Sequence, residues 1–219
     1  MRYIILVILI FGGCSFNTPP NTWKYKSINA FDAYTKDFLS QNDTMAQNDI
    51  HRAVSHAKNS ADLTQLARIY LGKCALNISV GIEDNCKEYE NIKDLINSKE
   101  LDTYYSFLLS DIEKKDIELL PKRYKTFALH LQSKDYTQAN KDILEMQKPT
   151  SILLSSALLK EHLDKTTIDK VLKTSSFYGY KKAIIFYLQK KKNITTNKEE
   201  KEKIEKKISI ITKEDNENM

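Results

Sequence analysis

Apolar side chains recur every three or four residues in one segment of this chain after another, and that spacing admits helices and little else. Phe31, Tyr34 and Phe38 form one stripe; Leu63, Leu66, Ala67, Tyr70, Leu71, Cys74 and Ile78 another; Leu101, Tyr104, Tyr105 and Leu108 a third. The pattern continues through Tyr124, Phe127, Ala128 and Leu131, then Tyr136, Ala139 and Ile143, then Leu153, Ala157 and Leu163, to Tyr180, Ala183, Ile184, Tyr187 and Leu188. A helix turns about 100° per residue, so each set lies on one face. No sustained two-residue alternation competes, and the predicted fold class is all-α. Asn42-Asp43, Asn59-Ser60, Gly81, Asn97-Ser98, Ser133-Lys134-Asp135, Pro149 and Gly179 punctuate the stripes, with Ser60 and Ser98 placed as N-caps. About ten short helices with brief joints predict stacked antiparallel hairpins over residues 27–192, with an irregular helical bundle as the alternative.

Only 5 glycines and 4 prolines occur among 219 residues. That suits a stack of helices and disfavours nucleotide-binding loops, because a phosphate cradle needs Gly where the backbone closes on its ligand. No GxGxxG or GxxxxGK[ST] is present. Lys and Arg number 34 against 29 Asp and Glu, and the signs are interspersed, so a formal charge of +5 selects no polyanion and no nucleic-acid partner is expected.

The N-terminus has a different composition. Arg2 precedes an unbroken apolar run over residues 4–11, followed by Gly12-Gly13-Cys14-Ser15. Such a run is too short to span about 30 Å of hydrocarbon and has the form of an export signal. The small-small-Cys junction directly after it resembles the bacterial lipoprotein signal, in which a Cys is diacylated and becomes N-terminal after cleavage. That resemblance implies a signal peptide over residues 1–13 and a lipid anchor at Cys14. Residues 14–26, with Pro19-Pro20, then read as a tether, and Ser15 resembles the class sorted to the outer membrane, facing the periplasm. Two or more acyl chains on one residue give firm attachment.

Export changes what Cys74 and Cys86 can do, since an oxidising compartment permits disulfides. Both lie on helical stripes either side of Gly81, Cys86 with Tyr89, Ile92 and Ile96, which predicts an αα-hairpin. Facing Cα atoms of packed helices come within roughly 4 to 5 Å, inside the range a disulfide needs. A Cys74–Cys86 bond is therefore predicted, worth about 3 kcal/mol by loop-closure entropy. The alternative is a pair of reduced, buried cysteines; no neighbouring His or CxxC marks a catalytic thiol.

The segment Tyr124-x-x-Phe127-Ala128-x-x-Leu131-x-x-x-Asp135-Tyr136-x-x-Ala139-x-x-x-Ile143, with Pro149 shortly after, resembles a tetratricopeptide repeat. Leu66 to Ala75 and Gly179 to Leu188 look like weaker copies. The resemblance implies a right-handed solenoid whose first helices line a protein-binding groove, placing Tyr124, Ala128 and Gln132 toward it. The plainer alternative has Tyr124 and Tyr70 as inter-helix packing. Residues 193–219 carry many interspersed Lys and Glu, with Ile204, Ile208 and Ile211 as one narrow stripe, and read as a capping helix and tail, with docking on a partner or membrane surface as the alternative.

Catalytic and metal residues are not indicated. His51 and His56 diverge by roughly 140° on a helix, no HExxH or GxSxG occurs, Ser106 and Ser156 have Leu rather than Lys three residues on, and the histidines read as isolated. No cofactor or small-molecule substrate is inferred. The sequence leads to a lipid-anchored periplasmic protein that binds an envelope protein in an assembly or scaffolding role. A glycan-cleaving envelope enzyme and a passive structural lipoprotein are the alternatives.

Overall fold

The computed structural model describes residues 21–213, and among these every regular element is a helix. In chain order they are α1 (Thr22–Leu39), α2 (Asp43–Ala57), α3 (Thr64–Ser79), α4 (Lys87–Glu90), α5 (Lys99–Leu108), α6 (Lys122–Gln132), α7 (Tyr136–Glu145), α8 (Pro149–Leu158), α9 (Lys165–Tyr178), α10 (Lys181–Ile194) and α11 (Lys198–Thr212). Short 3₁₀ turns occur at Lys93–Leu95, Lys114–Leu119 and Lys160–His162. The all-α class is thus what the stripes predicted.

Helix ends follow local chemistry. Ser98 caps α5 by accepting from the Leu101 N–H, as its position predicts. Asp135, Asp164 and Asn197 do the same for α7, α9 and α11. Ser60 does not cap α3: its hydroxyl accepts from the Asp62 N–H at 3.1 Å, and Asp62 in turn accepts from the Thr64 N–H at 2.9 Å. Those two short-range bonds hold an extra turn of non-helical chain and move the helix start to Thr64. Gly179, at φ 69°, ends α9 in the left-handed conformation that glycine adopts without strain.

Consecutive helices pack as pairs, α1 with α2, α6 with α7, α9 with α10, and α10 with α11. Contacts then depart from a solenoid. α3 packs against α8, more than sixty residues away, and α10 returns to α1. A solenoid unit touches only its neighbours, so the irregular helical bundle is the arrangement that fits. The physical cause is α8, whose Ser151, Ile152, Leu153, Leu154, Ser155, Ser156 and Leu158 are all buried. A helix without a polar face must be surrounded. α3, α6, α7 and α9 cover it.

Buried polar groups fix the register. The Tyr187 hydroxyl donates to the Leu153 carbonyl of α8 at 2.7 Å and approaches the Ser79 carbonyl of α3 at 3.3 Å, joining three helices at one oxygen. Asn140 donates to the carbonyls of Tyr136 and His162 and accepts from the Asp164 N–H, stitching α7 to the start of α9. Desolvation raises the Tyr187 pKa well above its ordinary value.

Cys74 and Cys86 are bonded, with Cα atoms 5.2 Å apart. The predicted hairpin around them is not formed. Cys86 sits at φ 56° ahead of the single-turn α4, and the stretch to Ile96 finishes in a 3₁₀ turn. Asp84 accounts for this: its carboxylate accepts from the Cys86 N–H at 2.8 Å and from Asn77 Nδ2 at 2.7 Å, pinning a loop where a second helix was expected.

Candidate functional site

Leu120, extended because Pro follows it, passes into Pro121, and α6 begins at Lys122. From there the helix turns Phe127, Tyr124 and Ala128 inward and leaves Lys122, Arg123 and Thr126 outside. Beneath lies an aromatic layer in which Phe107 meets Tyr124 at 5.3 Å and Phe127 at 6.3 Å, while Tyr104 meets Tyr124 at 6.0 Å. Burial and a hydrogen bond with Tyr124 push the Tyr104 pKa well above its ordinary value.

Arg123 stands over this layer, its guanidinium 5.0 Å from the Tyr124 ring centre. It borders three adjoining cavities. The largest, about 540 Å³, lies between α6, α7 and the start of α8, and is walled by Phe127 and Met146 with Lys122, Asp142, Glu145 and Lys148 at its polar edge. A second of about 250 Å³ holds Phe31, Asp32 and Tyr104 between α1, α3 and α5. A third of about 460 Å³ follows α3 and α5 past Arg68, Glu100, Leu101 and Pro121. Gly72 borders both smaller ones, and a Cβ there would overlap the Phe31 ring. The result is an indented surface with apolar walls and charges of both signs along its edge.

Of the predicted groove residues, Tyr124 is 3% and Ala128 0% exposed, because both lie on the stripe that packs on α5 and α8. Tyr124 touches the second cavity only at its wall. Gln132 is exposed, but it belongs to a separate cavity of about 330 Å³ with Tyr136 and His162 at the far end of α6. The three do not form one groove. Arg123, which does connect the cavities, has no sequence signature beyond its place beside the stripe.

The histidines are also less isolated than predicted. His130 Nδ1 lies 2.6 Å from Asp142 Oδ2, tying α6 to α7, and the His162 ring stacks on Tyr136 at 3.6 Å. Their spacings, 12 and 26 residues, become meaningful only when the helix pairing is known. The cluster of Cys74, Asp84 and Cys86, within 4.8 Å of one another, has the geometry of metal ligands, yet the two sulfurs are bonded to each other and present no thiolate. Cys14 lies outside the described residues. Among the described residues no helix is long and apolar enough to cross a membrane.

Comparison with protein-family models, with curated proteins and with solved structures gives no match to this chain.

Proposed function

We propose that this is a lipid-anchored protein of the bacterial envelope, tethered through Cys14, that binds a segment of another protein against the indented surface around Arg123. The observation that carries the reading is the continuity of that surface: three cavities on six helices share one cation, above a floor of packed aromatics. Apolar walls with a mixed-charge edge suit a peptide that buries a few side chains and keeps its backbone polar groups paired or wet. The Cys74–Cys86 bond is consistent with an oxidising compartment. Glycan cleavage is favoured less. The carboxylates at the 540 Å³ cavity are Asp142, already engaged by His130, and the exposed Glu145, and neither has the apolar setting of a general acid.

A photoreactive residue at Thr126 tests the binding reading in intact envelopes. It is expected to form an adduct with one discrete protein, to lose it when Arg123→Glu is added, and to form none from Lys203 on α11. Equal labelling from both positions, or none, overturns the reading. For the anchor, metabolic acyl labelling is expected to disappear in Cys14→Ala.

A further inference from the structure

Residues 170–198 contain eight lysines and no Asp or Glu. In the structure this stretch is the end of α9, the turn at Gly179, α10 and the joint to α11. Four of the eight are engaged by oxygen partners. Lys170 donates to the carbonyls of Leu144 and Met146, Lys191 pairs with Asp169, and Lys192 pairs with Glu205. Lys182 pairs with Asp43 and lies over the Phe38 ring. Lys173 and Lys181, which flank the turn, have no acidic partner among the described residues. The acids at the adjoining end of α1 and α2 are taken: Asp43 by Lys182, Asp37 by Asn42.

Between those two lysines the chain presents bare aromatics. Phe177 is 82% and Tyr178 49% exposed. The Phe177 ring packs edge-on to Tyr178 at 5.0 Å, and Tyr178 stacks on Tyr180 at 5.4 Å. Lys173 lies one helical turn before Phe177, on the same face. A Cβ added at Gly179 would have nothing within 4 Å, so the turn is open to solvent there, while Tyr180 beyond it packs back on the core.

We propose that the turn at Phe177-Tyr178-Gly179 is a membrane-surface contact, its two exposed rings entering the headgroup region of an anionic bilayer while Lys173 and Lys181 pair with lipid phosphates. Charge complementarity selects the occupant: an acid-free, lysine-flanked segment matches a surface that is anionic above and apolar beneath. Shape agrees. A protein hot spot seats its aromatics in a pocket, whereas two exposed rings, Phe177 and Tyr178, braced by the half-buried Tyr180, suit a deformable layer, with the Tyr178 hydroxyl remaining at the wet level. The proposal does not depend on acylation of Cys14.

The test uses the unacylated chain from Ser15 onward, which holds every described helix. Vesicles of phosphatidylglycerol with phosphatidylcholine are compared with phosphatidylcholine alone. A Trp23→Phe, Phe177→Trp reporter is expected to shift to the blue on the anionic vesicles and to be quenched by brominated lipid. Partitioning, followed by sedimentation, is expected to fall about fivefold for Lys173→Ala and again for Lys181→Ala, and to weaken with salt. The Phe177→Ser, Tyr178→Ser variant is expected to lose tenfold or more with its melting temperature unchanged. Absent binding at low salt, or unchanged partitioning of that variant, overturns the proposal. Concentration-dependent dimerisation abolished by the same variant, without vesicle binding, overturns it in favour of a second copy of the chain.

Discussion

Tyr104, Phe107, Tyr124 and Phe127 meet ring to ring where α5 packs on α6, whereas Phe177 and Tyr178 meet edge-on at the α9–α10 turn with both rings exposed. The residue types are the same and the environments opposite. Spacing decides which is which. Tyr104 and Phe107, like Tyr124 and Phe127, are three apart and share a helix face. On α9 the inward face is already taken by Ile168, Val171 and Ser175, and Phe177, two residues past Ser175, is turned about 200° from it. An aromatic at that position faces outward however apolar it is. Tyrosine-rich composition alone therefore identifies no binding surface; the register against neighbouring buried positions does.

The sharpest way to break the comparison is to remove one ring from the interior. Phe107 is 0% exposed, and Phe107→Ala is expected to cost about 3–5 kcal/mol in denaturant unfolding, from lost burial plus the cavity left behind. A loss below about 1 kcal/mol would mean that the interior cluster packs no better than the exposed one. Next in size is the disulfide beside this interior. Reduction of Cys74–Cys86 is expected to lower stability by about 3 kcal/mol, read as a shift in the urea midpoint with and without dithiothreitol, and free-thiol labelling of the denatured, unreduced protein is expected to find neither cysteine.

Tyr187 sharpens the contrast through pH. Its hydroxyl is buried and donates to a carbonyl, so ionisation is disfavoured in the folded state and its folded pKa is raised. The unfolded chain, with a tyrosine pKa near 10, loses its proton first. This residue's contribution is thus fully present below about pH 10 and is lost as pH rises above it, by about 1.4 kcal/mol per pH unit. Tyr187→Phe is expected to flatten that part of the stability-versus-pH curve, and an unchanged slope would remove Tyr187 from the cause.

How far this could be read from sequence depends on the range of the contact. The α6–α7 pair, with Asp135 as its cap, and the partnership of Cys74 with Cys86 follow from spacings under about twenty residues, and both are present. The seating of α8 against α3, the return of α10 to α1, and the His130–Asp142 contact depend on which faces meet after collapse. Periodicity marks a face without naming its partner. Tyr124 shows the consequence: the repeat-like motif located its helix correctly, but whether that face lines a groove or the core is set by α5, which the motif does not contain. Arg123, one residue earlier, was illegible for the same reason. Its role comes from three cavities assembled by helices far apart in the chain.

The smallest expected effect completes the comparison. Phe177→Ala removes as much aromatic surface as Phe107→Ala, yet Phe177 is 82% exposed, has its ring contact with the neighbouring Tyr178, and leaves no buried cavity when truncated. Its folded and unfolded environments are nearly alike, so the transfer term that dominates Phe107→Ala almost cancels. Unfolding free energy is expected to change by no more than about 0.5 kcal/mol. A modest increase in solubility is expected beside it, because exposed aromatics favour self-association. A loss comparable to that of Phe107→Ala would mean that the turn packs against the body in solution, and the rings would then be part of the core and unavailable to any surface.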